Sequence, residues 1–99
     1  PLTAYSIMRL GKVQLLPFFL PGDAAMGTAL RGLAGKRSAV VLANHGPVVA
    51  GKELAATVQA MEELEETAKL ALLTRGHGVI GLTPEQAQSV AARLDVEWD

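Results

Sequence analysis

Cysteine is missing from this 99-residue sequence, which excludes a disulfide framework, a CxxC redox pair and any thiolate zinc site, and makes a reducing compartment the default expectation. Aromatic residues are scarce as well: Tyr5, Phe18, Phe19 and Trp98 are the whole set, against a hydrophobic content of 49%. The core must therefore be built from Ala, Val and Leu, which suits tightly packed helices and sheet. No charge of one sign dominates, since nine Lys and Arg face ten Asp and Glu for a formal net charge of −1. That balance leaves no electrostatic footprint for nucleic acid or for an anionic membrane surface. No apolar run reaches the roughly 20 residues that span a bilayer, and the opening residues lack the basic segment and apolar core of a signal peptide. A soluble, cytoplasmic protein that contacts neither nucleic acid nor membrane is expected. Nucleophile elbows, phosphate-binding loops and dinucleotide glycine fingerprints are also absent.

What is present reads as one α/β unit, long enough for a single core with a modest margin of stability. Residues 5–10 and 13–19 are β-rich runs separated by Gly11 and Lys12, the pattern of a hairpin. Pro17 puts the second run at a sheet edge or at its own end, because proline cannot donate to the ladder. Pro21, Gly22 and Asp23 form a turn, and Asp23 is placed to cap a helix with apolar positions Met26, Leu30 and Leu33. Residues 39–43 are apolar throughout, as in a strand covered on both faces in the middle of a sheet. Residues 48–50 turn back beside it, leaving His45 at the mouth of a buried hairpin. A long helix over about 53–75 carries an apolar stripe through Leu54, Val58, Met61, Leu64, Ala68, Ala71 and Leu72, with Glu65 and Lys69 paired on its acidic outer face and Gly76 ending it. The last helix opens with the capping box of Thr83 and Gln86, with Pro84 at its first position, and buries Ala87, Val90, Ala91 and Leu94.

Chemistry rests on two histidines. A catalytic zinc needs about three protein ligands and an open position, so even both together fall short. His77 lies in the flexible helix exit of residues 75–78, reads as a solvated side chain and receives no role. His45 differs, because the strand before it is rigid and Gly46 allows other backbone or a ligand to approach closely. Taken alone, a turn histidine making a structural hydrogen bond is the competing reading. The glutamates of the long helix read as solvated charges of an outer face.

The stretch Leu42-Ala43-Asn44-His45-Gly46-Pro47-Val48-Val49-Ala50-Gly51, the Glu-rich helix around residues 62–70 and the segment Pro17-Phe18-Phe19-Leu20-Pro21-Gly22-Asp23 resemble the class II aldolase and adducin family over roughly residues 1–75. Within it, the wording around His45 is most similar to the 3-oxo-tetronate 4-phosphate decarboxylase subgroup. The resemblance implies a three-layer α/β/α fold with a mainly antiparallel central sheet, of which residues 1–99 are the C-terminal part of a single domain; the chain opens at Pro1 without an initiator Met, in keeping with a fragment whose N-terminal part is absent. It also implies that His45 is one ligand of a Zn2+ ion whose other ligands, a His-x-His pair, and whose catalytic carboxylate lie upstream. Tyr5 falls near the family's active-site tyrosine, with a half-buried strand aromatic as the alternative. Asn44 either orients the site or completes the turn.

The implied activity is that of a zinc-dependent carbon–carbon lyase, decarboxylase or aldolase, acting on a phosphorylated sugar or 3-oxo acid through an enediolate. The parent is expected to be a homo-oligomer, a tetramer with active sites at subunit contacts, and this chain alone is expected to be inactive. A non-catalytic adducin-like interaction domain is the alternative.

Overall fold

The computed structural model describes residues 1–99. Its first element is a helix where the sequence predicts a strand. α1 (Ala4–Leu10) is capped by Thr3, whose side-chain oxygen accepts from the Ser6 N–H at 3.2 Å while Ser6 Oγ donates to the Thr3 carbonyl at 2.9 Å. Ile7 and Leu10, three residues apart, fall on one face and are fully buried. Gly11, at φ 65°, closes the helix with its N–H on the Ile7 carbonyl. The Thr3 cap and the three-residue apolar spacing outweigh the β-propensity of Tyr5 and Ile7. The expected hairpin across Gly11 and Lys12 therefore does not exist, and Tyr5 is an exposed residue of a first helical turn instead of a strand aromatic.

β1 (Val13–Leu16) stops just before Pro17, which therefore lies at the strand's end, outside the ladder, and β1 is an outer strand of the three-stranded sheet. α2 (Ala24–Arg31) follows, with Asp23 Oδ1 accepting the Ala25 N–H at 2.9 Å. The chain then enters β2 (Ala39–Leu42), the middle strand, and β3 (Gly46–Val49). Because α2 carries the chain back to the starting end of the sheet, β1 and β2 run parallel, in register from Val13 opposite Ala39 to Leu16 opposite Leu42. β2 and β3 are antiparallel, from Ala39 opposite Val49 to Leu42 opposite Gly46. The sheet is thus mixed, with one pair of each kind, which corrects the expectation of a mainly antiparallel sheet.

Successive residues of β2 point to opposite faces, and both faces are covered. Val40 and Leu42 join Leu16 in a cluster packed by Phe19 and by Met26, Ala29, Leu30 and Leu33 from α2 and its exit. Ala39 points the other way, onto Leu10 of α1 and Leu64 of α3 (Leu54–Thr74). α3 buries only Leu64 of its predicted stripe; Leu54 is 80% exposed and Leu72 69%. Lys69 pairs with Glu66 at 3.2 Å and not with Glu65. α4 (Pro84–Arg93) shows the predicted capping box in full, and its Ala87 and Ala91 meet Ile7 in a third cluster flanked by Leu82, Val90, Val96 and Trp98. Before α4, residues 79–82 form no strand, and Leu82 N–H is tied to the Pro1 carbonyl at 2.8 Å.

Candidate functional site

The connection between β2 and β3 is a β-turn in which the His45 N–H donates to the Leu42 carbonyl at 3.1 Å. Asn44 occupies its third position at φ 60°, a left-handed conformation that asparagine and glycine tolerate better than other residues. Asn44 therefore completes the turn. The turn is anchored from below on both sides: Leu42 is buried, and the Ala43 N–H donates to the carbonyl of Leu16, the last residue of β1, at 3.1 Å. His45 thus sits where the parallel strands β1 and β2 both end. In open α/β sheets, ligands bind outside the carboxyl ends of such strands.

The His45 side chain is exposed, and its ring makes no hydrogen bond within the chain. A Cβ added at Gly46 would meet nothing within 4 Å, so the space beside the imidazole is open to a ligand or to further polypeptide. The segment of residues 17–23 leaves β1 next to this turn, which brings two of the sequence motifs together at one end of the sheet. Nowhere in the chain do three His, Cys, Asp or Glu side chains converge as a metal site would require. The donors fit one position of a coordination shell and no more, so no metal-dependent step follows from this chain alone. His77 is exposed in the exit from α3.

Tyr5 lies elsewhere. With Arg9 it borders a shallow cleft of about 410 Å³ against Gln59, Glu62, Glu63 and Glu66 of α3, and Arg9 donates to Gln59 Oε1 at 3.0 Å. His45 does not line that cleft.

A larger cleft, of about 670 Å³, lies at the opposite end of the sheet from His45, where Lys12 precedes β1, Arg37 and Ser38 precede β2 and Lys52 follows β3. Sequence reasoning missed it, because cations at positions 9, 12, 36, 37 and 52 form no local motif. Their charge is partly answered within the chain. Asp99 sits 2.9 Å from Arg37 and 3.7 Å from Lys12, and Lys12 stacks 5.2 Å over the Trp98 ring. The Arg37 hydrogen bond, reinforced by the Arg37 and Lys12 charges against the opposing effect of desolvation, holds the Asp99 carboxyl below its ordinary value.

Residues 1–72 match the Class II Aldolase and Adducin N-terminal domain. Among similar proteins, a 3-oxo-tetronate 4-phosphate decarboxylase of Pectobacterium atrosepticum is 49% identical over 86% of this chain and 39% of its own length. Another of that name, from Haemophilus influenzae, is 41% identical over 94% of this chain and 44% of its own. The crystal structure of YgbL from Klebsiella pneumoniae superposes with a TM-score of 0.87 at 41% identity, covering 91% of this chain and 44% of that one. The chain thus spans about two fifths of the length of the curated relatives it matches. With the family match running from the first residue through the His45 turn and most of α3, the chain belongs to the class II aldolase and adducin family.

Proposed function

We propose that this chain is the C-terminal part of a domain that, when complete, is a carbon–carbon lyase decarboxylating a 3-oxo-tetronate 4-phosphate or a closely related phosphorylated 3-oxo acid, with His45 as one of its zinc ligands. The observation that carries the reading is the His45 turn. The backbone of His45 is fixed at the carboxyl ends of two parallel strands, and its exposed imidazole is hydrogen-bonded to nothing in its own chain. Relatives of 41–49% identity bear the decarboxylase name, which supports this substrate class over a sugar phosphate cleaved by an aldolase.

Loss of CO2 from such an acid breaks the bond between the carboxylate and the carbon beside the ketone. The electron pair moves into an enediolate with negative charge on oxygen, which a proton then discharges at carbon. A divalent cation, when bound, supplies Lewis-acid stabilisation of that charge, worth several kcal/mol in a dry site. The chain's own contribution is positional: buried Leu42, the Asn44 turn and the tie from Ala43 to Leu16 fix the backbone from which the His45 side chain projects. Tyr5 is proposed as an active-site residue. It borders a different cleft from His45 in one chain, and in this reading the two meet across a subunit contact of a homo-oligomer, a tetramer. The three-layer arrangement belongs to the complete domain, and the protein acts in the cytoplasm.

The test is CO2 release from 3-oxo-tetronate 4-phosphate by a polypeptide carrying the complete domain. His45→Ala should lower kcat/KM by about a thousandfold or more, and Tyr5→Phe by about a hundredfold if the phenol transfers a proton. A His45→Ala protein that turns over normally would refute the assignment. A wild-type protein that releases no CO2 would favour the adducin-like interaction domain.

A further inference from the structure

The cations of this chain are not spread evenly. Five of its nine Lys and Arg, namely Arg9, Lys12, Lys36, Arg37 and Lys52, line the 670 Å³ cleft at the starting ends of β1 and β2, against two of its ten acids. Lys36 and Lys52 form no ion pair within the chain. Because β1 and β3 flank β2 in the sheet, Lys12 before β1 and Lys52 after β3 stand on either side of Arg37 before β2. A local excess of positive charge in a concave site of this size, on a chain of net charge −1, suits a small anion and not an extended one such as nucleic acid.

Arg37 is the most enclosed of these groups. Its side chain is 14% exposed, and Nη1 donates to the Lys36 carbonyl at 3.0 Å. Both oxygens of Asp99 lie on Nη2, Oδ1 at 2.9 Å and Oδ2 at 3.1 Å. Nε is buried and bonded to nothing. The planar fork of Nε–H and Nη2–H, which matches a carboxylate or phosphate bidentately, is therefore only half used, and a buried charged donor without an acceptor is unfavourable. Asp99 is 61% exposed and is held only by Arg37 and a 3.7 Å approach to Lys12. Its carboxylate engages the guanidinium without saturating it.

The geometry points to an anion-binding site in this cleft, which takes a small phosphorylated molecule on Arg37, Lys12 and Lys52 when the Asp99 carboxylate gives way. A phosphate in the place of that carboxylate spans Nε and Nη2, flanked by two ammonium groups. His45 lies beyond the far end of β2, a four-residue strand, roughly 13 Å long at 3.3 Å per residue. The inference therefore does not rest on the His45 reading, and its test needs neither metal nor turnover.

A polypeptide carrying the complete domain is titrated with inorganic pyrophosphate at constant ionic strength, and the Arg37 Nε–H and Trp98 indole N–H resonances are followed by NMR. Saturable shifts of both are expected, since Trp98 stacks on Lys12. Lys52→Ala, at an exposed and unpaired side chain, should weaken binding by about threefold with circular dichroism unchanged. Asp99→Asn removes the competing charge and should tighten binding by about threefold. His45→Ala should leave the titration as it is. No saturable shift, a shift that sodium chloride reproduces, a titration lost in His45→Ala, or an affinity that Lys52→Ala or Asp99→Asn leaves unchanged would each overturn the proposal.

Discussion

His45 and Asn44 are neighbours with separable duties, and substitution should separate them. The His45 side chain is exposed; His45→Ala should change stability by no more than about 0.5 kcal/mol, as measured by urea denaturation. Asn44 holds φ 60° in the turn. Asn44→Ala should cost about 1 kcal/mol, because a Cβ without a compensating polar side chain disfavours that conformation, while Asn44→Gly should be tolerated. The same denaturation curves check both. The motif around His45 was legible because each of its residues has a distinct local reason: an apolar strand, a turn asparagine, a glycine. The acid-lined surroundings of Tyr5 were not legible, because Glu62, Glu63 and Glu66 lie far along the sequence and meet Tyr5 only through the packing of α1 on α3.

At the level of elements, capping chemistry was the most reliable guide and β-propensity the least. Thr83 and Gln86 form the predicted reciprocal pair, with Thr83 Oγ1 accepting from the Gln86 N–H at 3.1 Å and Gln86 Oε1 from the Thr83 N–H at 3.0 Å. Thr83→Ala should cost about 1 kcal/mol and raise amide exchange in the first turn of α4. Thr3 caps α1 without such a partner, since Ser6 Oγ donates to the Thr3 carbonyl, so no capping box marks the start of this helix and the β-rich composition of residues 5–10 points to a strand instead. A hairpin across Gly11 and Lys12 would place an antiparallel neighbour beside β1, whose partner is the parallel β2. Partner choice depends on which element covers which face, and a strand of four residues does not encode it. In α3 the periodicity is correct and the burial is not: Leu54, Val58 and Leu72 keep helical spacing yet remain exposed, because α1 and the sheet reach only the middle of the helix.

Across the whole molecule, burial is thin. Ten of 99 residues are buried, and the nine apolar ones among them divide into three small clusters in place of the single core expected from composition. Ile7, fully buried between Ala87 and Ala91, ties α1 to α4. Ile7→Ala should cost about 2–5 kcal/mol, comparable with the total stability of a marginal domain, so the variant chain should lose cooperative thermal unfolding by circular dichroism. The chain end is secured electrostatically by Asp99 on Arg37 and Lys12. A carboxyl whose folded pKa lies below its unfolded one stabilises above the unfolded value and loses that effect as pH falls through the folded one. The Asp99 tie should therefore loosen on acidification, and Arg37→Ala should return the Asp99 titration, followed by NMR, toward the ordinary carboxylate value. Membership in the class II aldolase and adducin family joins these observations to the proposed chemistry through one imidazole. The most direct measurement is the metal content of a polypeptide carrying the complete domain, with and without His45→Ala. One zinc per subunit in the wild type, lost in the variant while its circular dichroism is unchanged, is the predicted result; a metal-free wild type, or a variant that keeps its zinc, would contradict it.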